Sequence, residues 1–99
     1  MAYNVEYILF DDGQGFYAHC DGHTVGEITF VRTGGNKMII DHTEVEEPYR
    51  GAHVGLGLVA AAVDMARTQK RKVIALCPFA AAMFNRHPEF GDVRLMNAS

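Results

Sequence analysis

The chain has 99 residues, of which 48% are hydrophobic and 21% are charged, and its formal net charge is −3. This length and composition predict one globular domain over residues 1–99. The negative charge argues against a nucleic-acid-binding protein, because such proteins usually present a basic face. No basic segment precedes an apolar run at the N-terminus, and the longest apolar run, 56–63, is too short to span a bilayer. The sequence therefore predicts a cytoplasmic protein.

The first half of the chain is predicted to form an antiparallel meander of four strands. Its apolar segments are rich in Val, Ile, Tyr and Phe, as is typical of strands. Asp21 and Gly22 suit a two-residue hairpin, because both residue types tolerate a positive φ. Residues 34–36, Gly-Gly-Asn, mark the next turn. The strands are expected at residues 4–10, 16–20, 23–32 and 37–43.

The second half is predicted to alternate between helix and strand. Residues 53–69 have Ala, Leu and Val at helical spacing, which indicates a long helix laid on the sheet. Residues 72–77 are apolar after the first position, as in a buried fifth strand. A short second helix at 79–87 stops before Pro88, and residues 90–95 fit either a loop or a short edge strand.

The long helix is predicted to bury one apolar stripe against the sheet. The stripe is Leu58, Ala61, Ala62 and Met65, and the solvent side carries Asp64, Arg67 and Lys70. A strand, a helix and a parallel strand normally form a right-handed crossover. The predicted fold is therefore mixed α/β: a four-stranded antiparallel meander, one βαβ crossover and a final short helix.

The stretch from Asp41 to Gly57 has the pattern of a phosphate-binding loop. It runs from the fourth strand through an acidic bend, closed by Pro48, to an Arg-Gly turn that opens the long helix. A helix N-terminus has unpaired N–H groups and the positive end of the helix dipole, so it binds phosphate well. The sequence therefore predicts a phosphorylated ligand here.

Four short motifs in the second half resemble those of one family. They are H-T-E-V at 42–45, R-G-x-x-V-G at 50–55, C-P-F-A at 77–80 and R-H-P-E-F at 86–90. Together with the predicted elements, they resemble the minimal, single-domain branch of the GNAT superfamily of acetyl-CoA-dependent N-acetyltransferases. The resemblance covers nearly the whole chain and is strongest from Asp41 to Phe90.

The resemblance implies a site for acetyl-CoA as co-substrate. In the superfamily the loop pattern Gln/Arg-x-x-Gly-x-Gly/Ala wraps the pyrophosphate, and here Arg50 and Gly55 take the first and last places. His53 replaces the middle glycine. The end of the fourth strand would pair with the pantetheine arm where it splays from the parallel fifth strand. The implied cofactor-binding residues are Thr43, Val45, Arg50, Gly51, Ala52, His53, Val54, Gly55, Pro78 and Phe79.

Cys77, at the end of the fifth strand, is the candidate residue to accept the acetyl group or to position the thioester. Strand alternation places His42 on the face of Met38 and Ile40, so the thiol and the imidazole approach each other if the two strand faces coincide. A thiol with the ordinary pKa of about 8.5 is mostly protonated at neutral pH, so a nearby base is needed. The alternative is that Cys77 is a small buried core residue, as free cysteines usually are.

His42 and Glu44 are the candidate catalytic bases, since an amine nucleophile must lose a proton. His42 is favoured because the ordinary histidine pKa of about 6.5 lies near neutral pH. The alternatives are a half-buried strand histidine and a solvated carboxylate in an acidic stretch with Glu46 and Glu47. Arg50 contacts either phosphate or one of these two carboxylates.

His19, Cys20 and His23 form an H-C-x-x-H cluster across the first hairpin. The cluster offers three potential ligands, whereas structural zinc normally takes four, so no metal is expected. Cys20 and Cys77 are the two cysteines of the chain, and reduced thiols are the simpler interpretation.

The last helix is expected to pack on the sheet through Phe79, Met83 and Phe84, with one or two of them lining the pantetheine channel. Asn85 either contacts the cofactor or is an exposed helix residue.

The sequence thus predicts an enzyme that transfers an acetyl group from acetyl-CoA to an amine, either a small amine or a protein lysine. The alternative is a non-catalytic acyl-CoA-binding module, which keeps the loop and dispenses with Cys77. No nucleic acid or membrane is expected as a partner. The acceptor is not specified: either it binds at the open gap or a second subunit completes its site, so a monomer and a homodimer both fit.

Overall fold

The computed structural model describes residues 4–95 as a five-stranded sheet with one long helix packed on it. The strands are β1 (Val5–Leu9), β2 (Gly15–Cys20), β3 (His23–Thr33), β4 (Lys37–Val45) and β5 (Lys72–Ala75). The helices are α1 (Val54–Gln69) and α2 (Pro78–Arg86), with short 3₁₀ helices at Glu47–Ala52 and Pro88–Phe90. In this part of the chain no helix is long and apolar enough to cross a membrane.

The predicted topology is confirmed. Strands β1 to β4 pair as an antiparallel meander. Strands β4 and β5, which precede and follow α1 in the sequence, pair in parallel. Strand β5 ends at Ala75, two residues earlier than expected. Residues 90–95, which fitted either a loop or an edge strand, form a turn and an isolated parallel bridge between Arg94 and Val73.

Two turns have the backbone conformation that their residues predict. Asp21 and Gly22 have φ values of 51° and 85°, and Gly35 and Asn36 have values of 77° and 59°. Gly, Asn and Asp adopt this left-handed region more readily than other residues. These turns fix the register of the meander and so of the strand that leads to the candidate site.

The buried stripe of α1 differs in part from the prediction. Leu58 and Ala62 are fully buried, but Ala61 and Met65 are only half-buried, and Val59 and Val63 are buried in their place. The helix is therefore rotated towards its valines, because burying valine removes more apolar surface from water than burying alanine. The buried residues of α1 are Val54, Gly55, Leu58, Val59, Ala62, Val63 and Ala66. Asp64, Arg67 and Lys70 are exposed, as predicted.

Candidate active site

Strands β4 and β5 separate after four residue pairs. The parallel register runs from Lys37 opposite Lys72 to Ile40 opposite Ala75. The next two amides, of Leu76 and Cys77, both donate to the carbonyl of Ile40, at 3.0 and 3.1 Å. Two donors on one acceptor end the ladder, and α2 then begins at Pro78. Residues 41–45 of β4 therefore have no strand partner on the β5 side among the described residues.

The separation opens a cleft of about 380 Å³ between the end of β4, the loop before α1 and the start of α2. It is lined by His42, Thr43, Glu44, Val45, Arg50, Gly55 and Phe79. All seven residues are candidates named from the sequence. Cys77 and Pro78 are not among the lining residues, although they directly precede Phe79 in the chain.

A β-bulge in β4 overturns the expected face of His42. Thr29 pairs with His42 and the next residue of β3, Phe30, pairs with Ile40, so Asp41 is the extra residue. The Thr29 hydroxyl donates to the Asp41 carboxylate at 2.6 Å. After the bulge the alternation is shifted by one, so that Thr43 rather than His42 continues the buried face of Ile40. The two faces therefore do not coincide, and the condition under which Cys77 and His42 would approach each other is not met. Strand alternation alone does not reveal a bulge.

The Cys77 thiol faces Thr43 instead. Its Sγ donates a hydrogen bond to Thr43 Oγ1 at 3.6 Å, and the cysteine is 7% exposed. Thr43 lies opposite Ile28, a fully buried residue of β3. Cys77 is also the residue that caps the N-terminus of α2. Cys77 is therefore a small buried residue, as one expectation had it, and its thiol contacts a residue that lines the cleft, Thr43.

His42 and Glu44 lie on the outer face of the sheet, away from α1, and both line the cleft. Their side chains are 54% and 69% exposed, and His42 Nε2 lies 3.7 Å from Glu44 Oε1. The two candidate bases thus share a face of the strand. Both are open to solvent and accessible to a ligand in the cleft.

Arg50 ties the loop to the end of β4. Its Nε donates to the carbonyl of Val45 at 3.0 Å, and neither Glu46 nor Glu47 pairs with it. Within residues 4–95 no group accepts a hydrogen bond from its two Nη atoms, and Arg50 is one of the residues that line the cleft. These two donors are available for an anionic ligand.

The turn before α1 is closed by His53 in a left-handed conformation. His53 has φ 63° and ψ 20°, and its side chain is exposed and makes no capping hydrogen bond. This backbone conformation favours glycine and costs another residue roughly 1–2 kcal/mol. The substitution is thus accommodated by an outward side chain, and the first N–H groups of α1 have no side-chain cap.

The other loop candidates have different exposures. Gly51 is exposed and Ala52 is half-buried in the 3₁₀ helix, whereas the Val54 side chain is buried in the core. A Cβ on Gly55 would overlap the ring of Phe79, so the absence of a side chain there makes room for the aromatic wall of the cleft. Phe79 is 39% exposed.

The remaining candidates lie outside the cleft. Met83 and Phe84 are buried in the core, as expected, and the exposed Asn85 accepts a hydrogen bond from Arg94 at 2.8 Å. The cluster around the first hairpin does not converge. The Cys20 thiol is buried beside Asp21, and burial together with that carboxylate raises the pKa of the thiol.

The rings of His19 and His23 lie near those of Tyr17 and Tyr49 respectively, with centroids 5.9 and 6.1 Å apart. Among residues 4–95 no group of three His, Cys, Asp or Glu side chains could hold a metal ion, and both cysteines are free thiols.

The chain is similar to proteins of one family. Residues 15–93 match the model of the family described as GCN5-related N-acetyl-transferase. The solution structure of a GCN5-like protein from Staphylococcus aureus is 32% identical, with a TM-score of 0.75, over 96% of this chain and 93% of that one. None of the curated proteins matches this chain.

Two further solved structures share the fold at lower identity. A ribosomal-protein-alanine N-acetyltransferase from Brucella melitensis biovar Abortus 2308 is 16% identical, with a TM-score of 0.66, over 86% of this chain and 65% of that one. An IAA acetyltransferase from Bacillus cereus ATCC 14579 is 15% identical, with a TM-score of 0.65, over 86% of this chain and 75% of that one. These two show a common fold.

Proposed function

The chain belongs to the GCN5-related N-acetyltransferase family, and we propose that it transfers an acetyl group from acetyl-CoA to a primary amine. The observation that carries the proposal is the separation of β4 from β5 beyond Ile40. It leaves one edge of residues 41–45 unpaired beside an apolar-walled cleft of about 380 Å³. A cleft of this kind suits a long ligand that has an amide-containing arm and a phosphate group.

In the proposed complex the pyrophosphate of acetyl-CoA lies at the N-terminus of α1. The uncapped N–H groups there and the two Nη atoms of Arg50 are the donors. The pantetheine arm runs along the unpaired edge of residues 41–45, where its amides replace the missing strand. Phe79 forms the apolar wall opposite, and Gly55 leaves room for it.

The proposed reaction has two steps. The Cys77 sulfur, after its proton has passed to solvent, attacks the acetyl carbonyl; a new C–S bond forms and coenzyme A leaves as a thiolate, which then takes up a proton. The acceptor amine then attacks acetyl-Cys77, so that the C–N bond forms and the Cys77 sulfur leaves. His42 accepts the proton that the amine loses, with Glu44 at 3.7 Å to stabilise the imidazolium.

A change of partner for His42 follows from the bulge. Because His42 lies on the outer face and the thiol lies on the helix side with Thr43, we assign the imidazole to the acceptor amine rather than to the thiol. The acceptor therefore approaches from the outer face of the sheet, opposite α1.

The proposal is tested by native mass spectrometry of the protein with acetyl-CoA, followed by denaturation of the same sample, and by an acetyl-transfer assay with a panel of primary amines. We expect a non-covalent adduct and, after denaturation, an acetyl group on Cys77. Cys77→Ala should keep the adduct and lose turnover by about a thousandfold or more, as expected for a nucleophile. Cys20→Ala is the matched control and should retain turnover. No adduct in either spectrum would refute the function.

A second candidate function, a non-catalytic acyl-CoA-binding module, is favoured by one observation. Cys77 is 7% exposed and does not line the cleft. This candidate predicts stabilisation of the fold by coenzyme A, no acetyl-Cys77 and no turnover with any amine of the panel. Turnover that survives in Cys77→Ala would instead indicate direct transfer from acetyl-CoA to the amine.

A further inference from the structure

Thr43 connects the cleft with the thiol. It lines the cleft, and its hydroxyl accepts the hydrogen bond from Cys77 Sγ at 3.6 Å. This position results from the bulge at Asp41, which moves Thr43 onto the helix side of β4. Sequence reasoning gave Thr43 only a backbone role, since regular alternation would have turned its side chain away from Cys77.

A hydroxyl is suited to both charge states of a neighbouring thiol. It accepts a hydrogen bond from the neutral S–H group, and after rotation it donates one to the thiolate. Hydrogen bonds to an ionised partner are stronger than those between neutral groups. Cys77 also lies at the N-terminus of α2, where the positive end of the helix dipole favours a negative charge.

The elements packed around Cys77 offer few other partners for its sulfur. The buried residues of α1 and α2 are all without ionisable side chains. In the unpaired part of β4 the ionisable groups are Asp41, His42 and Glu44, all exposed, with Asp41 bonded to Thr29 and His42 beside Glu44. The Thr43 hydroxyl is therefore the side-chain group that the structure puts in contact with the thiol.

We propose that Thr43 is a positioning residue for Cys77: its hydroxyl holds the sulfur at the edge of the cleft and donates to the thiolate when the proton leaves to solvent. The proposal rests on the proposed function, because the thiolate it stabilises is the group that attacks acetyl-CoA. It goes further in naming the side chain that makes this sulfur nucleophilic. The base candidates on the outer face do not have that role.

The test is the pH dependence of Cys77 alkylation by iodoacetamide in the absence of acetyl-CoA. Trypsin releases Cys77 in the peptide 73–86, so mass spectrometry distinguishes it from Cys20. Thr43→Val keeps the β-branched shape and removes the hydroxyl. We expect alkylation about tenfold slower at pH 7 and a midpoint about one pH unit higher, as for the loss of a hydrogen bond to a charged group.

Thr43→Ser restores a hydroxyl and should return the rate to within about twofold of the parent. Thr33→Val, at the far end of the neighbouring strand β3, where the hydroxyl bonds only to the Gly34 carbonyl, is the matched control and should leave the profile of Cys77 unchanged. A thermal melt of each variant shows whether the fold is retained. If Thr43→Val fails to fold, Thr43→Ala removes the same hydroxyl and is judged by the same criterion.

The outcomes separate this proposal from the function it rests on. An unchanged pH profile in a folded Thr43→Val protein overturns the role of Thr43, even if acetyl-Cys77 forms normally. A shifted profile with rescue by serine supports it, even if no amine of the panel is acetylated. A slower rate with an unshifted midpoint would indicate altered access to the thiol and would also overturn the proposal.

Discussion

Strand β4 has two halves with opposite environments. In the closed half, residues 37–40, each residue pairs with β5, and Met38 and Ile40 are fully buried under α1. In the open half, residues 41–45, no β5 partner follows among the described residues, and His42 and Glu44 are exposed. The same strand thus contributes to the core at one end and to the cleft at the other.

The two halves of β4 differ in the contacts that hold them as well as in their burial. At the start of the closed half, Arg71 Nη1 donates to the carbonyls of Thr33 and Lys37, at 3.2 Å each. The open half is held by its pairing with β3, by the Asp41 bulge and by the bond from Arg50 to the Val45 carbonyl. Burial is thus concentrated where the strands pair, and the cleft opens where they separate.

The largest expected effect is a loss of folding stability caused by substitution in the closed half of β4. Met38→Ala removes a fully buried side chain, so we expect the free energy of unfolding to fall by about 2–5 kcal/mol. Ile39→Ala, at the half-buried neighbouring position on the outer face, is the matched comparison and should lower the free energy of unfolding by a smaller amount. Urea unfolding followed by circular dichroism measures both. A loss below about 1 kcal/mol for Met38→Ala would show that the closed half does not carry the stability assigned to it.

The second prediction concerns the cleft of the open half. In Gly55→Ala the new methyl would overlap the Phe79 ring, which is partly exposed and can move into the cleft. We expect a folded protein whose affinity for coenzyme A, measured by isothermal titration calorimetry, is about tenfold lower, a change of about 1.4 kcal/mol.

Two variants check the steric reason for this loss. Gly34→Ala, where a Cβ meets no atom within 4 Å, should bind coenzyme A like the parent. Phe79→Leu combined with Gly55→Ala should recover part of the affinity, because the smaller side chain relieves the contact. Equal affinities of Gly55→Ala and the parent would show that the ring of Phe79 does not shape the binding site.

Most of the fold can be read from the sequence, because its signals are local. The Asp21-Gly22 turn, the apolar segments of the strands and the helical spacing after residue 53 each follow from residue type within a short window. The rotation of α1 towards Val59 and Val63 does not follow from residue type within a short window. It depends on the relative bulk of side chains that meet only after the helix has docked on the sheet.

The candidate site likewise has features that follow from local sequence and features that depend on contacts between strands. The lining of the cleft consists of residues that the motifs indicate, but the contact between Cys77 and Thr43 was not predicted. The bulge at Asp41 depends on a register shift between two strands and on the bond from Thr29, which no spacing within one strand reveals. The start of α2 was predicted one residue late, at 79, although Pro78 is a typical first residue of a helix and places Cys77 at the N-cap position.

The smallest expected effect concerns an exposed contact near the closed half of β4. The prediction tests whether this contact changes the stability of the protein or its affinity for coenzyme A. Arg67, on α1, donates to both carboxylate oxygens of Asp92 at 2.8 Å and to the Glu89 carbonyl at 2.8 Å. The hydrogen bonds from Arg67 lower the pKa of Asp92 below its ordinary value, against the opposing effect of desolvation. A carboxyl with a depressed folded-state pKa contributes stability above the ordinary value of about 3.9, and the contribution is lost as the pH falls through the folded-state pKa.

Asp92→Asn should therefore lower the unfolding midpoint in urea slightly at pH 7, and the difference from the parent should narrow as the pH falls below about 4. Asp64→Asn is the matched control, because Asp64 is 82% exposed and lies 3.5 Å from the same guanidinium. It should have a still smaller effect, since single exposed ion pairs contribute little.

Coenzyme A affinity should be unchanged in both variants, because the contact lies outside the cleft. A difference between Asp92→Asn and the parent that widened below pH 4 would contradict the stabilising sign assigned to this pair, and a loss of affinity would show that the two halves of β4 are coupled through α1.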